Sequence, residues 1–196
     1  MSTKNTQYSL LNADINYYKD VFSEAQGWHY YHELMMDTPW QDDDITVFGK
    51  TYKQPRRTAL YANNSHPYSY SNITMQPHQF TRTLLQIKEK VEEITKTAYT
   101  TCLLNLYRDG QDSNGWHADN EKELGQNPNI ASVSFGANRI FHLKHRFQKD
   151  LKQKILLEHG SLLLMKGQTQ HYWLHQLPKT KKIIGPRINL TFRTIK

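Results

Sequence analysis

Apolar positions follow two different rules along this chain. Between 81 and 96, Leu84, Ile87, Val91 and Ile94 recur every three or four residues behind Thr81, predicting a helix from Thr81 to Lys96 with that threonine as N-cap. A weaker stripe of Phe22, Ala25, Leu34 and Met35 predicts a second helix from Asp20 to about Met36, with Gly27 weakening its middle. After Tyr99 the period changes to two, or to short apolar runs. Strands are predicted at 100–107, 130–135, 139–144, 155–158, 161–165, 170–175 and 186–194. Turn signals stand at Asp109-Gly110, Asn127-Pro128, Phe135-Gly136, His159-Gly160 and Lys166-Gly167. Helices followed by many short strands predict an α+β fold, a sandwich or barrel backed by two helices, and argue against a doubly wound parallel sheet. No repeat, low-complexity tract or linker interrupts residues 1–196, so one domain is expected.

Composition narrows the class. The 196 residues are 37% apolar and 12% aromatic, too aromatic for a disordered polar chain. The single cysteine, Cys102, excludes an intrachain disulfide and any Cys-rich zinc module. No apolar run approaches the roughly 18 residues of a membrane span, and the N-terminus lacks a signal peptide's pattern. These features imply no membrane partner and a cytoplasmic protein, or a nuclear one in a eukaryote. The net charge of +7 is unevenly placed: residues 139–196 carry 13 Lys/Arg against only Asp150 and Glu158. That asymmetry points to a polyanionic partner, or to a solvated lysine-rich loop around 144–154.

Ten histidines invite a metal reading. His117 and Asp119 project to the same side of an extended segment. A third ligand must come from downstream, among His142, His145, His159, His171 and His175, and spacing does not choose between them. Two imidazoles and one carboxylate with open positions suit non-haem Fe(II) and oxygen. In R-I-N-L-T-F-R, alternation sets Arg187, Asn189, Thr191 and Arg193 on one face and Ile188, Leu190 and Phe192 on the other. The polar face either meets solvent or aims two guanidiniums into a barrel, where a small dicarboxylate would pair them. Asn105 and Tyr107 share a face of the strand N-L-Y.

The ordered segments N-L-Y-R-D-G, G-W-H-A-D-N-E, S-V-S-F-G-A, H-G-S-L-L-L-M, H-Q-L-P and P-R-I-N-L-T-F-R resemble the AlkB-type Fe(II)/2-oxoglutarate dioxygenases, and most closely their branch that repairs alkylated duplex DNA. The resemblance spans about residues 44–195. It implies a double-stranded β-helix, or jelly roll, with residues 1–98 supplying helices and nucleotide recognition and residues 99–196 the catalytic core. It implies His117, Asp119 and His175 as Fe(II) ligands; H-Q-L-P is what singles out His175. Asn105, Tyr107, Asn189 and Arg193 match positions lining the 2-oxoglutarate site, and Arg187 matches the arginine that pairs with the distal carboxylate of 2-oxoglutarate. Glu121 matches the acid that meets the exocyclic amine of the target base, and Tyr68 and Tyr70 match nucleotide-pocket aromatics. Phe48, in V-F-G-K, stands where duplex-acting members carry an intercalating finger. Arg56, Lys181 and Lys182 complete the implied nucleic-acid contacts. Tyr70 is a departure, because close relatives carry phenylalanine there.

The implied activity is oxidative demethylation of 1-methyladenine and 3-methylcytosine in DNA by a monomer, consuming O2 and 2-oxoglutarate and releasing formaldehyde, succinate and CO2. The same chemistry on RNA, or a catalytically silent nucleic-acid-binding module, are the alternatives. Among the other histidines, His29 and His32 are expected on a helix surface, His66 and His78 in loops, His159 in a turn, and His142 and His145 facing phosphate.

Overall fold

A computed structural model describes residues 5–47, 50–64, 68–70 and 73–195, with side chains left out at 45–47, 68–70, 73 and 74. The expected finger residue Phe48 lies outside the described residues. In chain order the elements are β1 (Asn5–Tyr8), β2 (Asp14–Tyr18), α1 (Glu24–Asp37), β3 (Asp44–Val47), β4 (Lys50–Lys53) and β5 (Arg57–Ala62). There follow β6 (Tyr68–Tyr70), β7 (Ile73–Met75), α2 (Arg82–Thr95), β8 (Thr101–Tyr107), β9 (Asn114–His117), β10 (Ile130–Gly136) and β11 (Arg139–His145). The chain continues through β12 (Lys152–Leu157), β13 (Ser161–Lys166), α3 (Thr169–Tyr172), β14 (Trp173–Leu177) and β15 (Arg187–Arg193).

Two sheets face each other. The larger runs β1-β2-β13-β10-β15-β8-β5 and the smaller β12-β11-β14-β9, while β3-β4 and β6-β7 form separate two-stranded pairs. Helices α1 and α2 cover the outer face of the large sheet: Leu34, Leu84, Ile87 and Val91 pack with Leu104, Val133, Leu190 and Phe192. A second core fills the space between the sheets, joining Ile15, Ile130 and Leu163 to Leu143, Ile155 and Trp173. Strand β15 is buried along its whole length because both of its faces are covered. Ile188, Leu190 and Phe192, each fully buried, turn to the helices. Each such side chain contributes about 1.5–3 kcal/mol by leaving water. Arg187, Asn189, Thr191 and Arg193 are thereby turned into the space between the sheets. The α+β jelly-roll expectation holds, and no helix of the described residues is long and apolar enough to cross a membrane.

Helix boundaries have local causes. Thr81 Oγ1 accepts from the Leu84 N–H at 3.2 Å, and Lys96 ends α2 in the left-handed region at φ 54°. Helix α1 starts four residues later than predicted, because Ser23 and Gln26 form a reciprocal capping box. Gly27 is required by packing. A Cβ there would lie 2.3 Å from His159 Nε2, on a ring stacked over Trp28 with centroids 4.4 Å apart.

Several elements differ from the sequence reading. The predicted strand at 170–175 is one turn of helix, α3, and then β14. Gly167 at φ 56° reverses the chain after β13, and Thr169 Oγ1 donates to the Lys166 carbonyl, so the chain turns before it can pair with the small sheet. Strands β1 to β7 and β9 are additions to the predicted list.

Candidate active site

Strand pairing assembles the site. His117 on β9 lies opposite His175 on β14, with ring centroids 4.3 Å apart at 67°. Asp119 follows β9 by two residues, and one ligand atom from each of the three residues falls within a 4.8 Å span. Of the downstream histidines left open by spacing, His175 is the one brought beside His117 and Asp119, whereas His171 lies on α3 with its side chain exposed. His117 Nδ1–H donates to the Gly115 carbonyl at 2.7 Å, which leaves Nε2 with the lone pair, 3.2 Å from Asn114 Nδ2.

The electrostatics keep all three in metal-binding forms. Burial lowers the His117 pKa. Burial, aided by the neighbouring His117, pushes His175 down to about 3. Burial opposes ionisation of Asp119, but the Arg193 guanidinium and the two imidazoles outweigh it and hold its carboxyl below the usual range. Arg193 Nη2 donates to Asp119 Oδ1 at 2.8 Å, both side chains being almost fully buried. His175 Nδ1 is buried without a partner. Two neutral imidazoles and a carboxylate, with such an orphaned nitrogen, fit a divalent iron.

Beside the triad, Asn105, Tyr107, Arg187 and Asn189 line the same cavity. Arg187, 2% exposed, donates from Nη2 to Ser134 Oγ at 2.9 Å, lies over the Tyr107 ring, and keeps a buried, unpartnered Nε. Burial lowers its pKa to about 10, so it stays charged at neutral pH. A buried cation with an unused donor calls for an anion, and a carboxylate matches its fork.

The chain matches the 2OG-Fe(II) oxygenase superfamily over residues 14–193. It belongs to that superfamily. Among relatives of this oxygenase, the alpha-ketoglutarate-dependent dioxygenase alkB homolog 3 of Bos taurus is 42% identical over 174 residues, covering 84% of this chain and 60% of that protein. The DNA oxidative demethylase ALKBH2 of Homo sapiens is 35% identical over 188 residues, covering 91% and 72%. The chain therefore spans about 60% of the length of the alkB homolog 3 relatives it matches. The solved structure of OsALKBH1 superposes with a TM-score of 0.68 at 17% identity, covering 95% of this chain and 99% of that one, which supports the shared fold.

The oxygenase fold brings together His117, Asp119, His175, Asn105, Tyr107, Arg187, Asn189 and Arg193. Arg193 lines the same cavity, and its Nη2 is engaged by Asp119. Glu121 is half-buried near the triad, its Oε2 buried and unpartnered, and burial, then the nearby Asp119, raises its pKa.

Other expected contacts need correction. Arg56 is not a surface phosphate ligand. It is 4% exposed, and its guanidinium donates to Asn105 Oδ1 at 2.7 Å and to the Ser113 carbonyl, interior acceptors that a phosphate cannot displace from solvent. His145 is likewise buried, its Nδ1 accepting from the Phe147 and Gln148 N–H groups, so it caps a turn and faces no phosphate. His159 does occupy a turn, but as a half-buried acceptor for the Gly136 N–H. Lys181 and Lys182 are exposed on the segment between β14 and β15. Tyr68 and Tyr70 are positions of β6, with side chains outside the described residues. Sequence reasoning missed Ser134 and Gln170, small polar groups whose contacts depend on pairing between distant strands.

Proposed function

We propose that this oxygenase removes N-methyl groups from nucleobases in DNA, with 1-methyladenine and 3-methylcytosine as substrates. The observation that carries the reading is Glu121, a carboxyl two residues from Asp119 with a buried, unpartnered oxygen. Such an acceptor suits the exocyclic amine that adenine and cytosine share. The name of the ALKBH2 relative, a DNA oxidative demethylase, supports DNA demethylation as the activity, and that of alkB homolog 3, an alpha-ketoglutarate-dependent dioxygenase, supports the cosubstrate.

When bound, Fe(II) with 2-oxoglutarate and O2 supplies the oxidation of the methyl group, releasing formaldehyde, succinate and CO2. His117, Asp119 and His175 hold the metal; Arg193 keeps Asp119 ionised and aimed. Arg187 orients the cosubstrate through its distal carboxylate, with Ser134 fixing the guanidinium plane. A methylated Watson–Crick edge cannot pair, so the damaged base leaves the stack at a lower cost than an intact one. The exposed Lys181 and Lys182, within the basic 139–196 region, suit the phosphate backbone. V-F-G-K favours duplex DNA over single strands. On this reading the chain acts as a monomer in the compartment that holds DNA.

The test is formaldehyde release with Fe(II) and 2-oxoglutarate on oligonucleotides carrying 1-methyladenine or 3-methylcytosine, as single-stranded DNA, duplex DNA and RNA. Release from both methylated DNAs, strongest on duplex, is expected. Turnover on RNA alone would move the substrate, and binding without turnover would make the chain a silent module.

A further inference from the structure

Gln170 has no side-chain role in the activity described above, yet it is fully buried against the metal ligands. It sits on the single turn α3, between β13 of the large sheet and β14, the strand that carries His175. Its Oε1 accepts from the Asp119 backbone N–H at 2.9 Å and lies 3.3 Å from His175 Nε2. Its Nε2 points the other way, toward Met165 Sδ at 3.6 Å. The amide orientation follows from chemistry: a backbone N–H can only donate, so the group facing Asp119 must be the carbonyl.

That constraint reaches the histidine. The same oxygen lies 3.3 Å from His175 Nε2, so it touches both residues at once. One carbonyl oxygen therefore ties together two ligands delivered by different strands. Asp119 follows edge strand β9 and has Arg193 on its carboxylate, but its backbone is tethered through Gln170.

From these contacts we infer that Gln170 is a positioning residue of the metal centre, setting the backbone of Asp119 and the place of the His175 ring before a metal arrives. The inference rests on His117, Asp119 and His175 being the metal ligands. Partners in this outer layer typically govern metal affinity by about 10- to 100-fold.

The experiment is titration of the full, metal-stripped chain with Mn(II), reading free Mn(II) by electron paramagnetic resonance, so that no turnover is required. Gln170→Met keeps the length and bulk of the side chain and removes the acceptor. Gln170→Glu keeps an acceptor at that place, and Gln170→Leu is a second apolar variant. Circular dichroism and the melting temperature verify folding of each. Expected are a rise in Kd of about 10- to 100-fold for whichever apolar variants fold and a near wild-type Kd for Gln170→Glu. Wild-type affinity in a folded apolar variant overturns the inference while leaving the metal centre standing. Equal losses in Gln170→Glu and Gln170→Met overturn it too, because the role would then be packing. Failure of the wild-type chain to bind Mn(II) would instead overturn the metal centre, and the inference with it.

Discussion

Arg193 Nη2 and Asp119 Oδ1 form an ion pair of 2.8 Å in which the side chains are only 4% and 2% exposed. The pair joins the interior strand β15 of the large sheet to the segment that leaves the small sheet, so one contact serves both the candidate metal site and the fold. Removing one partner of a buried pair leaves an uncompensated charge, at a cost of about 3–5 kcal/mol. Asp119→Ala should therefore abolish turnover and also lower the melting temperature strongly. Adding Arg193→Met to that variant should recover much of the lost stability without recovering activity. Equal melting of the single and double variants would show that the pair is not coupled.

Protons compete with the fold at the two histidines. His175 titrates near 3 in the folded chain against about 6.5 when unfolded. Between those values the unfolded chain binds more protons, so stability is full above about pH 6.5 and falls as pH drops toward 3. The loss is about 1.4 kcal/mol per pH unit, or roughly 3–5 °C in melting temperature for a chain of this size. His117, also shifted down by burial, acts in the same direction. Melting of the metal-free protein from pH 7.5 to 5 checks this, and His175→Leu should flatten the dependence.

Arg187 should be intolerant of its nearest substitute. Lysine keeps the charge but presents no planar fork to a carboxylate. Arg187→Lys is expected to raise the KM for 2-oxoglutarate by an order of magnitude or more, with little change in the KM for the oligonucleotide. Parallel rises in both constants would make the arginine a structural group.

Gly27→Ala separates helix propensity from packing. Alanine is the better helix former by about 1 kcal/mol. Its Cβ, however, would meet His159 Nε2 at 2.3 Å. That ring cannot step aside, since Trp28 stacks on it and Gly136 N–H holds its Nδ1 at 2.9 Å. A net loss of about 1–3 kcal/mol is expected from overpacking, read as a lower denaturation midpoint. A stabilised variant would mean that the helix and turn are free to part.

Phe48→Ala tests the finger. An inserted ring would fill the gap left by a flipped base only where a duplex stack exists. The variant should lose most of its activity on duplex DNA and little on single strands. Parallel loss on both, with a lower melting temperature, would make Phe48 a packing residue.

The legible parts of this molecule are those written in local periodicity. Leu84, Ile87 and Val91 announced α2, and R-I-N-L-T-F-R announced a strand with unlike faces, both of which the fold uses. The family motifs placed His175 where spacing alone left five candidates open. What stayed hidden depends on partners far away in sequence. Nothing near Arg56 reveals that Asn105 will absorb its guanidinium, and nothing near Gly27 reveals the ring of His159. Strand β2 was missed because D-I-N-Y-Y is short; its burial comes from pairing with β13, outside any local window.

The position of β15 in the large sheet bears on how a ribosome can deliver this protein. It lies between β10 and β8, both made earlier, and pairs with each along almost its whole length. A nascent chain that has not yet released Arg187–Arg193 has a gap at the middle of its main sheet, with two apolar strand edges waiting on either side. Completion of the sheet then waits for that strand, and a chain cut short before Arg187 exposes edges suited to pairing with other copies.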